Sequence, residues 1–338
     1  MKNLKLAKRY HIPGKIIKNA EPTPERFQIY KEFDKYQREN YTISHMKCLC
    51  GNNDQYLISK VDREGFEYHL EICRTCGLIK AKNYWDEKNV KDYYTNWYRK
   101  KYGGEEDPVI FYNNQAKKSK RVWDFVNEYT SRLKTPYTIM DIGGAAGGVL
   151  DSFKSDNDCH LFDYNKNFFN HAKTMGINTI EGGIDKLHLI EQKPDLVILS
   201  HVLEHFTNVH KELETLIKHL KFGSLVYIEL PGIDSLNEGR RFYDFLADIH
   251  MAHVFYFSRG VLNNLMERKG FRCLKSVTEI SALYEYTGQI GALKNYHNHV
   301  CSLINSAEIK RKLGLFYIKK YIGNILPKYL KEQLKRLL

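Results

Sequence analysis

The sequence lacks a long apolar run: in its 338 residues none reaches the roughly eighteen that a membrane-spanning helix requires. An integral membrane protein is therefore excluded. The stretch from Met1 to Arg9 contains neither an apolar core nor a small-residue cleavage site, so we expect no signal peptide and a cytoplasmic protein. Without an export signal, the seven cysteines are expected to be thiols or metal ligands, and a disulfide framework is disfavoured.

Acidic residues are scarce at the two ends of the chain. The formal net charge is +12, but residues 1–20 hold six basic and no acidic side chains, and residues 309–338 hold nine basic side chains and one acid. The body of the chain is therefore close to neutral, which disfavours nucleic acid as a partner. The basic, amphipathic end from Leu313 to Leu338 is either solvated or makes peripheral contact with the anionic inner surface of a membrane.

Changes in composition divide the chain into successive parts. Pro13, Pro22 and Pro24 interrupt any regular pattern near the start, and apolar spacing predicts a helix from Phe111 to Lys134. The predicted parts are a basic N-terminal arm (residues 1–45), a cysteine module (46–82), an aromatic-rich helical connector (83–135), an α/β domain (136–280) and a basic helical C-terminal extension (281–338).

Short apolar strands alternate with helical stretches from Pro136 onwards. The strand Asp195–Ser200 is almost continuously apolar, as expected when both faces of a sheet are covered. Ser258 is expected to cap a helix that ends near Lys269. This alternation predicts an α/β fold with a doubly wound, mostly parallel, Rossmann-like sheet. The further strands expected are Tyr137–Ile142, Cys159–Asp163, Ile177–Ile180, Ser224–Leu230 and Phe271–Thr278, with helices at 166–175 and 207–221.

A glycine-rich turn follows the first of these strands. Its residues are Asp141, Gly143, Gly144 and Gly147, with Ala145 at the position where a dinucleotide fingerprint needs its middle glycine. The methyl group of Ala145 and the carboxylate of Asp141 both disfavour a pyrophosphate. They fit a ligand that is cationic and free of phosphate, such as S-adenosylmethionine (SAM).

Asp163 stands at the end of the next strand, 22 residues after Asp141. This spacing suits a carboxylate that binds two ribose hydroxyls. The alternative is that the glycines form only a tight turn and that Asp163 caps a helix.

Residues 137–280 resemble the class I SAM-dependent methyltransferases. Asp141-x-Gly143-x-x-x-Gly147 is similar to the first motif of that family and Asp163 to its second, while Asp195–His205 resembles its fourth strand and the following loop. The resemblance implies SAM as cofactor, with Ile184 near the adenine and His201 in the wall of the pocket.

The segment His201-Val-Leu-Glu204-His205 also spells the zinc motif of inverted metallopeptidases. That chemistry needs both histidines on one helix face, whereas His201 directly follows a buried strand. A wall of the SAM pocket is the favoured interpretation, and loop histidines bonded to the backbone are the alternative.

Four cysteines form two pairs, Cys48-x-Cys50 and Cys73-x-x-Cys76, each followed by glycine. Four thiolates can close a tetrahedral zinc site, which would be structural because no position is left for water. The first pair is one residue shorter than the usual spacing. Incidental buried cysteines are the alternative.

A zinc-binding module ahead of this fold resembles the methyltransferases of carbohydrate biosynthesis, including sugar C-methyltransferases. The segment from His253 to Ser258 is similar to a segment of that group whose histidine is implicated as the base, although Ala252 replaces its glutamate. The resemblance implies O- or C-methylation of a sugar nucleotide or glycan, with His253 as general base. His205 and Glu204 are the next candidates, and packing or capping before the Ser258 helix is the alternative role for His253. Aromatic residues between Tyr84 and Tyr98 would either stack on a sugar face or form an interdomain core.

Two other functions are weighed against this one. An RNA methyltransferase would use the zinc module and the basic ends to bind phosphate, but the body is near neutral and the sequence contains no Asn/Asp-Pro-Pro-Tyr motif. A non-catalytic binding module would combine the zinc site with a Rossmann-like domain that does not use SAM.

Overall fold

The computed structural model describes residues 8–14, 22–131, 133 and 135–314. The basic segment from residue 315 to the end, which holds most of the predicted membrane-contacting extension, lies outside the described residues. Within the described ranges, no helix is both long and apolar enough to cross a membrane.

A seven-stranded sheet forms the centre of the α/β domain. Its strands are β6 (Thr138–Ile142), β7 (Asp158–Asp163), β8 (Asn178–Glu181), β9 (Leu196–Ser200), β10 (Leu225–Glu229), β12 (Phe271–Ser276) and β13 (Ser281–Tyr286). Their spatial order is β12-β13-β10-β9-β6-β7-β8, and all neighbours pair in parallel except β13, which is antiparallel to both β10 and β12. The fold class predicted from the sequence is confirmed.

Helices cover both faces of this sheet, which explains why its strands are apolar throughout. On one face, α4 (Pro108–Thr130) and α5 (Lys166–Thr174) pack on the alternate residues that include Ile139 and Ile198. On the other face, α6 (Val209–His219) and α7 (Arg259–Glu267) pack on the set that includes Met140. Ser258 caps α7 as predicted, because its hydroxyl accepts a hydrogen bond from the N–H of Val261.

The order of the strands reverses between β6 and β9. From β6 the chain runs outward through β7 to β8, and then returns to β9 and β10 on the other side. In open α/β sheets, ligands bind outside the carboxyl ends of the strands at such a reversal. The loops after β6 and β9, which carry the glycine cluster and the His201–His205 segment, therefore meet at this place.

The cysteine module contains a four-stranded antiparallel sheet of order β11-β4-β3-β2. Three strands come from the module itself: β2 (Gln55–Val61), β3 (Glu67–Cys73) and β4 (Ile79–Ala81). The fourth, β11 (Phe255–Tyr256), belongs to the segment between β10 and α7. The N–H of Ala81 donates to the carbonyl of Val254, and the N–H of Val254 donates to the carbonyl of Glu204. Val254 thus connects the module to the loop after β9.

Two of the predicted parts differ from the elements of the structure, the arm at residues 1–45 and the extension that starts at residue 281. The arm predicted for residues 1–45 contains the helix α1 (Pro24–Asn40), because Pro24 occupies the first turn, where its missing N–H costs nothing, and Thr23 caps the helix. The same segment ends in β1 (Ile43–His45), which pairs with β5 (Asn83–Trp85). The extension predicted for residues 281–338 begins with β13, so the α/β domain continues past residue 280.

The aromatic-rich connector is more regular than expected. It contains the short helices α2 (Glu87–Asp92) and α3 (Tyr98–Tyr102), a π-helical turn at Tyr93–Trp97, and α4. The helix α4 begins earlier than the predicted Phe111 because the carboxylate of Asp107 accepts from the N–H groups of Val109 and Ile110. The last described helix is α8 (His297–Lys312).

Several of the connector's aromatic side chains pack in a core against Phe33 of α1. The ring of Phe33 lies 5.1–5.9 Å from four others, those of Tyr41, Trp85, Tyr93 and Trp97. Of the two interpretations given for these residues, an interdomain core holds for Trp85, Tyr93 and Trp97.

Candidate functional site

The glycine loop passes closely over the end of β6. Gly143 has φ +70°, and a Cβ added there would lie 2.8 Å from Cγ2 of Val202 in the loop after β9. A Cβ added at Gly144 would lie 2.1 Å from Oδ2 of Asp141, so only glycine fits. Ala145 adopts φ +52° and Gly147 φ +76°. The predicted strand-to-loop turn is present, and it lies against the loop after β9.

Asp141 is fully buried beneath this loop. Neither oxygen of its carboxylate has a hydrogen-bond partner among the described residues. Burial and the nearby charge of Asp163 raise its pKa from 3.8 to about 7. An orphaned acid under a glycine loop fits a ligand that brings positive charge.

Asp163 stabilises the glycine loop from the end of β7. Its carboxylate accepts hydrogen bonds from the N–H of Ala145 at 2.8 Å and from the N–H of Asn165 at 2.7 Å. Burial raises its pKa, and these hydrogen bonds oppose the shift. Each oxygen keeps a further lone pair, so the predicted contact with ribose hydroxyls is chemically open.

The predicted adenine contact, Ile184, is buried in the core at the start of a short 3₁₀ helix. Tyr164, which follows Asp163, has an exposed ring whose hydroxyl donates to Asp185 at 3.3 Å. This ring was missed in the sequence analysis, although an aromatic residue directly after the second acidic motif is a recognisable signal. Ile184 remains a prediction.

The loop after β9 begins with His201 in a left-handed conformation, φ +56°. Its N–H donates to the carbonyl of Glu229 at 2.7 Å, which fixes the turn. The following helix is a single 3₁₀ turn, Leu203–His205, so the motif does not lie on one α-helix face as inverted metallopeptidases require. The structure thus disfavours the metallopeptidase interpretation of this motif.

Glu204 lies at the centre of a cluster of histidines, and its side chain is 1% exposed. Its Oε1 lies 3.5 Å from Nδ1 of His201, 3.8 Å from Nε2 of His205 and 3.9 Å from Nε2 of His253. Neither carboxylate oxygen has a hydrogen-bond partner within the described part of the chain. The structure therefore brings together the three predicted catalytic residues and His201; we name these four residues the Glu204 cluster.

His205 is oriented by the backbone. Its Nδ1 lies 2.7 Å from the carbonyl oxygen of Ala252 and 2.8 Å from the hydroxyl of Tyr94. Since a carbonyl only accepts, Nδ1 carries a hydrogen, and in the neutral imidazole Nε2, which faces Glu204, is then the nitrogen with the free lone pair. Tyr94 packs edge-on against the His205 ring and contacts Tyr98, so these two connector residues reach the cluster.

His253 precedes β11, and the hydroxyl of Tyr68 donates to its carbonyl. Burial, together with the charges of His205 and Arg63, lowers its pKa well below the usual value. His250, missed in the sequence analysis, lies 3.8 Å from the His253 ring, centroid to centroid, and burial also lowers its pKa. For His201, burial opposes ionisation, but Glu204 and Glu229 raise the pKa.

The four predicted zinc ligands form a compact group in the cysteine module. The sulfur of Cys48 lies 3.5 Å from those of Cys50 and Cys76, and the sulfurs of Cys50 and Cys73 are 3.6 Å apart. Tetrahedral zinc with Zn–S bonds of about 2.3 Å places sulfurs about 3.8 Å apart. The shorter first pair therefore still reaches tetrahedral spacing.

Glycine after each cysteine pair allows the turn that the sequence analysis expected. Gly51 and Gly77 have φ of +83° and +80°. Backbone N–H groups of Asn52 and Cys76 point at the sulfurs of Cys50 and Cys73. The donor set and its spacing fit zinc.

Residues 112–276 match the family model described as a methyltransferase domain, which is just under half of the chain. No curated protein matches the sequence. Similar solved structures include the plantazolicin methyltransferase BamL, with 17% identity over 71% of this chain and 90% of that one, TM-score 0.42.

Two other similar structures are SAM-dependent methyltransferases by their descriptions. That from Clostridium acetobutylicum is 14% identical over 50% of this chain and 92% of its own, with TM-score 0.41. That from Archaeoglobus fulgidus is 22% identical over 48% and 74%, with TM-score 0.38. All three identities are below 25% and all three TM-scores below 0.5, and the match to the family model is what indicates a methyltransferase domain at residues 112–276.

Proposed function

We propose that this enzyme, whose residues 112–276 form a methyltransferase domain, transfers the methyl group of SAM to a sugar or glycan, on oxygen or on carbon. The observation that carries the proposal is the proximity of Glu204, His205 and His253: a carboxylate oxygen and one ring nitrogen of each histidine lie within 4.8 Å of one another. Val202 of the same loop reaches Gly143. Groups that can accept a proton thus lie beside the loop that would hold SAM.

The residues around the glycine loop fit SAM. The buried, orphaned carboxylate of Asp141 favours a positive ligand, and only glycine fits at position 144. When bound, SAM supplies a methyl group already activated by its sulfonium. The residues that would hold it are Asp141, Gly143, Gly144, Gly147, Asp163, Ile184 and His201.

The acceptor half of the site must align the acceptor and remove its proton. A hydroxyl is a weak nucleophile, and a neutral imidazole can take its proton as the attack proceeds. His253 is the first candidate for this base, followed by His205 and Glu204. Because the methyl group is activated, positioning of the acceptor supplies the remaining acceleration.

Two observations support a sugar rather than an RNA acceptor. Tyr94 and Tyr98 extend from the connector to the Glu204 cluster, and aromatic rings suit the apolar face of a sugar. The second is the resemblance of the segment carrying His253 to carbohydrate methyltransferases; this segment pairs with the cysteine module through β11 and β4. RNA methylation is the alternative outcome of the test below.

The test is a screen of sugar nucleotides, glycans and RNA with methyl-labelled SAM. We expect label on a sugar and a loss of at least about 100-fold in kcat for His253→Ala, the usual scale for removing a general base. The exposed His45 of β1 supplies the matched control, His45→Ala, which should retain activity. Full activity in His253→Ala would exclude that residue as the base, and label on RNA alone would refute the sugar assignment.

We also propose that Cys48, Cys50, Cys73 and Cys76 hold a structural zinc ion. Metal analysis of purified protein should give one zinc per chain, and Cys73→Ser should lose it together with thermal stability. Cys159→Ser, which changes a buried cysteine outside the group, is the control that should keep the zinc. A wild-type protein free of zinc would contradict the assignment.

A further inference from the structure

Three histidines surround the buried carboxylate of Glu204 without donating a hydrogen bond to it. Their nearest nitrogens lie 3.5–3.9 Å from Oε1. A carboxylate that is 1% exposed and has no hydrogen-bond partner in the described ranges is costly, because burial removes its water. A positive charge beside it offsets this cost, and either the imidazolium of His201 or a bound cation can supply that charge.

We propose that Glu204, His205 and His253 bind a divalent transition-metal ion, distinct from the zinc of the cysteine module. Metal–nitrogen and metal–oxygen bonds of about 2.0–2.2 Å place ligand atoms about 3.4 Å apart in tetrahedral geometry. The observed separations are longer than hydrogen bonds and close to this value. Two imidazoles and one carboxylate suit zinc, cobalt, nickel and manganese, and they leave coordination positions open.

The orientation of His205 supports the proposal. Its Nδ1 donates to the carbonyl of Ala252 at 2.7 Å, so its Nε2 lone pair points into the cluster. Histidines that bind metals generally donate their other ring N–H in this way to a carbonyl or carboxylate. The contact fixes both the tautomer and the ring before any ion arrives.

The cluster also has a route to solvent. The side chains of His205 and His253 are 18% and 12% exposed, while that of His201 is 49% exposed. His201 lies on the open side of Glu204, where an ion and an acceptor can enter. Its Nδ1, 3.5 Å from Oε1, is close enough to become a further ligand or to exchange a proton with the acceptor.

Such an ion gives the acceptor site its own chemistry, a role that rests on the proposed function. An acceptor hydroxyl beside the cation loses its proton more readily. The electron pair of its O–H bond forms the new O–C bond, the S–C bond of SAM breaks with its pair staying on sulfur, and the proton passes to His201. Where the ion is bound, His253 acts through it as a ligand, and the loss of activity expected for His253→Ala then reflects loss of the ion rather than loss of a base.

The test is titration of the full-length protein, with the zinc of its cysteine module retained, with Mn²⁺; binding is measured as the loss of the free-ion EPR signal. Manganese prefers nitrogen and oxygen over thiolate, so the cysteine group does not compete for it. We expect one site in the wild type and in His45→Ala. For the isosteric Glu204→Gln we expect the affinity for Mn²⁺ to fall at least about 100-fold. That is more than the loss expected if Glu204 only hydrogen-bonded to a metal ligand.

A second variant, His253→Asn, keeps the test valid if Glu204→Gln fails to fold. The melting temperature of each variant shows whether it is folded. Equal Mn²⁺ binding by wild type and both folded variants, or no binding by wild type, overturns the proposal. The outcome is independent of the acceptor: methyl transfer to a sugar that persists without Mn²⁺ binding would refute the metal site alone. Mn²⁺ binding lost in both variants supports the site even if no sugar is methylated.

Discussion

Two buried carboxylates at the same edge of the central sheet face opposite surroundings. Asp141 is the penultimate residue of β6 and Glu204 follows β9, the neighbouring strand, and neither has a hydrogen-bond partner among the described residues. Asp141 faces another carboxylate, Asp163, whereas Glu204 faces three imidazoles. The comparison suggests a division of labour, in which the first acid attracts a cationic donor and the second organises the acceptor side.

The largest expected effect concerns stability in the absence of ligand. The pKa of Asp141 is raised from 3.8 to about 7, so between these pH values the folded state binds more protons than the unfolded state. The free energy of unfolding should therefore fall as pH rises from 4 to 7, by up to about 4 kcal/mol. Asp141→Asn should remove this dependence, as measured by denaturant unfolding. An unchanged slope would show that Asp141 is not the titrating group.

The next effect separates the two acids by activity. Glu204→Gln should lower kcat at least about 100-fold while the Kd for SAM changes little, because this acid lies on the acceptor side. Asp141→Asn should do the reverse, raising Kd with a smaller change in kcat. Single-turnover rates and calorimetric titration measure the two quantities. Equal changes in kcat and in the Kd for SAM in both variants would contradict the separate roles of the two acids.

A smaller effect is the release of protons when SAM binds. A cation over the glycine loop favours the ionised form of Asp141, so binding near pH 6 should release up to about one proton. Calorimetry in buffers of different ionisation enthalpy counts the protons. Asp141→Asn should release none, and Glu204→Gln should behave as the wild type.

The smallest effect tests the charge of Asp163 on its neighbour. Asp163→Asn removes one negative charge near Asp141, so the pKa of Asp141 should fall, although burial still holds it above the usual value. The decline in the free energy of unfolding should therefore end at a lower pH and be smaller in total. A shift upwards would show that loss of the hydrogen bonds to the loop outweighs the charge.

The central sheet could be predicted from the sequence because its signals are local. Short-range patterns predict the apolar strands that carry Asp141 and Asp163 at or near their ends. They also predict the helix cap Ser258 at the start of α7. The glycine loop likewise has its signal within a few residues. These elements would be recognised in the sequence of any chain that contained them.

The rest depends on contacts between distant segments. His253 and Glu204 are 49 positions apart, and they meet because Val254 hydrogen-bonds to both Ala81 and Glu204. Pairing of the two-residue β11 with β4 has no signal in its own sequence. Prolines near the start of the chain predict an interruption of regular structure, although Pro24 occupies the first turn of α1, where a helix tolerates it. That Glu204 has no hydrogen-bond partner within the described ranges could be seen only in three dimensions.

The backbone connection through Val254 has a consequence for how the molecule melts. Because one residue donates to the loop after β9 and accepts from β4, opening of either sheet breaks a bond of the other. The two sheets should therefore unfold in a single cooperative transition. The amide protons of Ala81 and Val254 should then exchange with solvent at matching rates under native conditions.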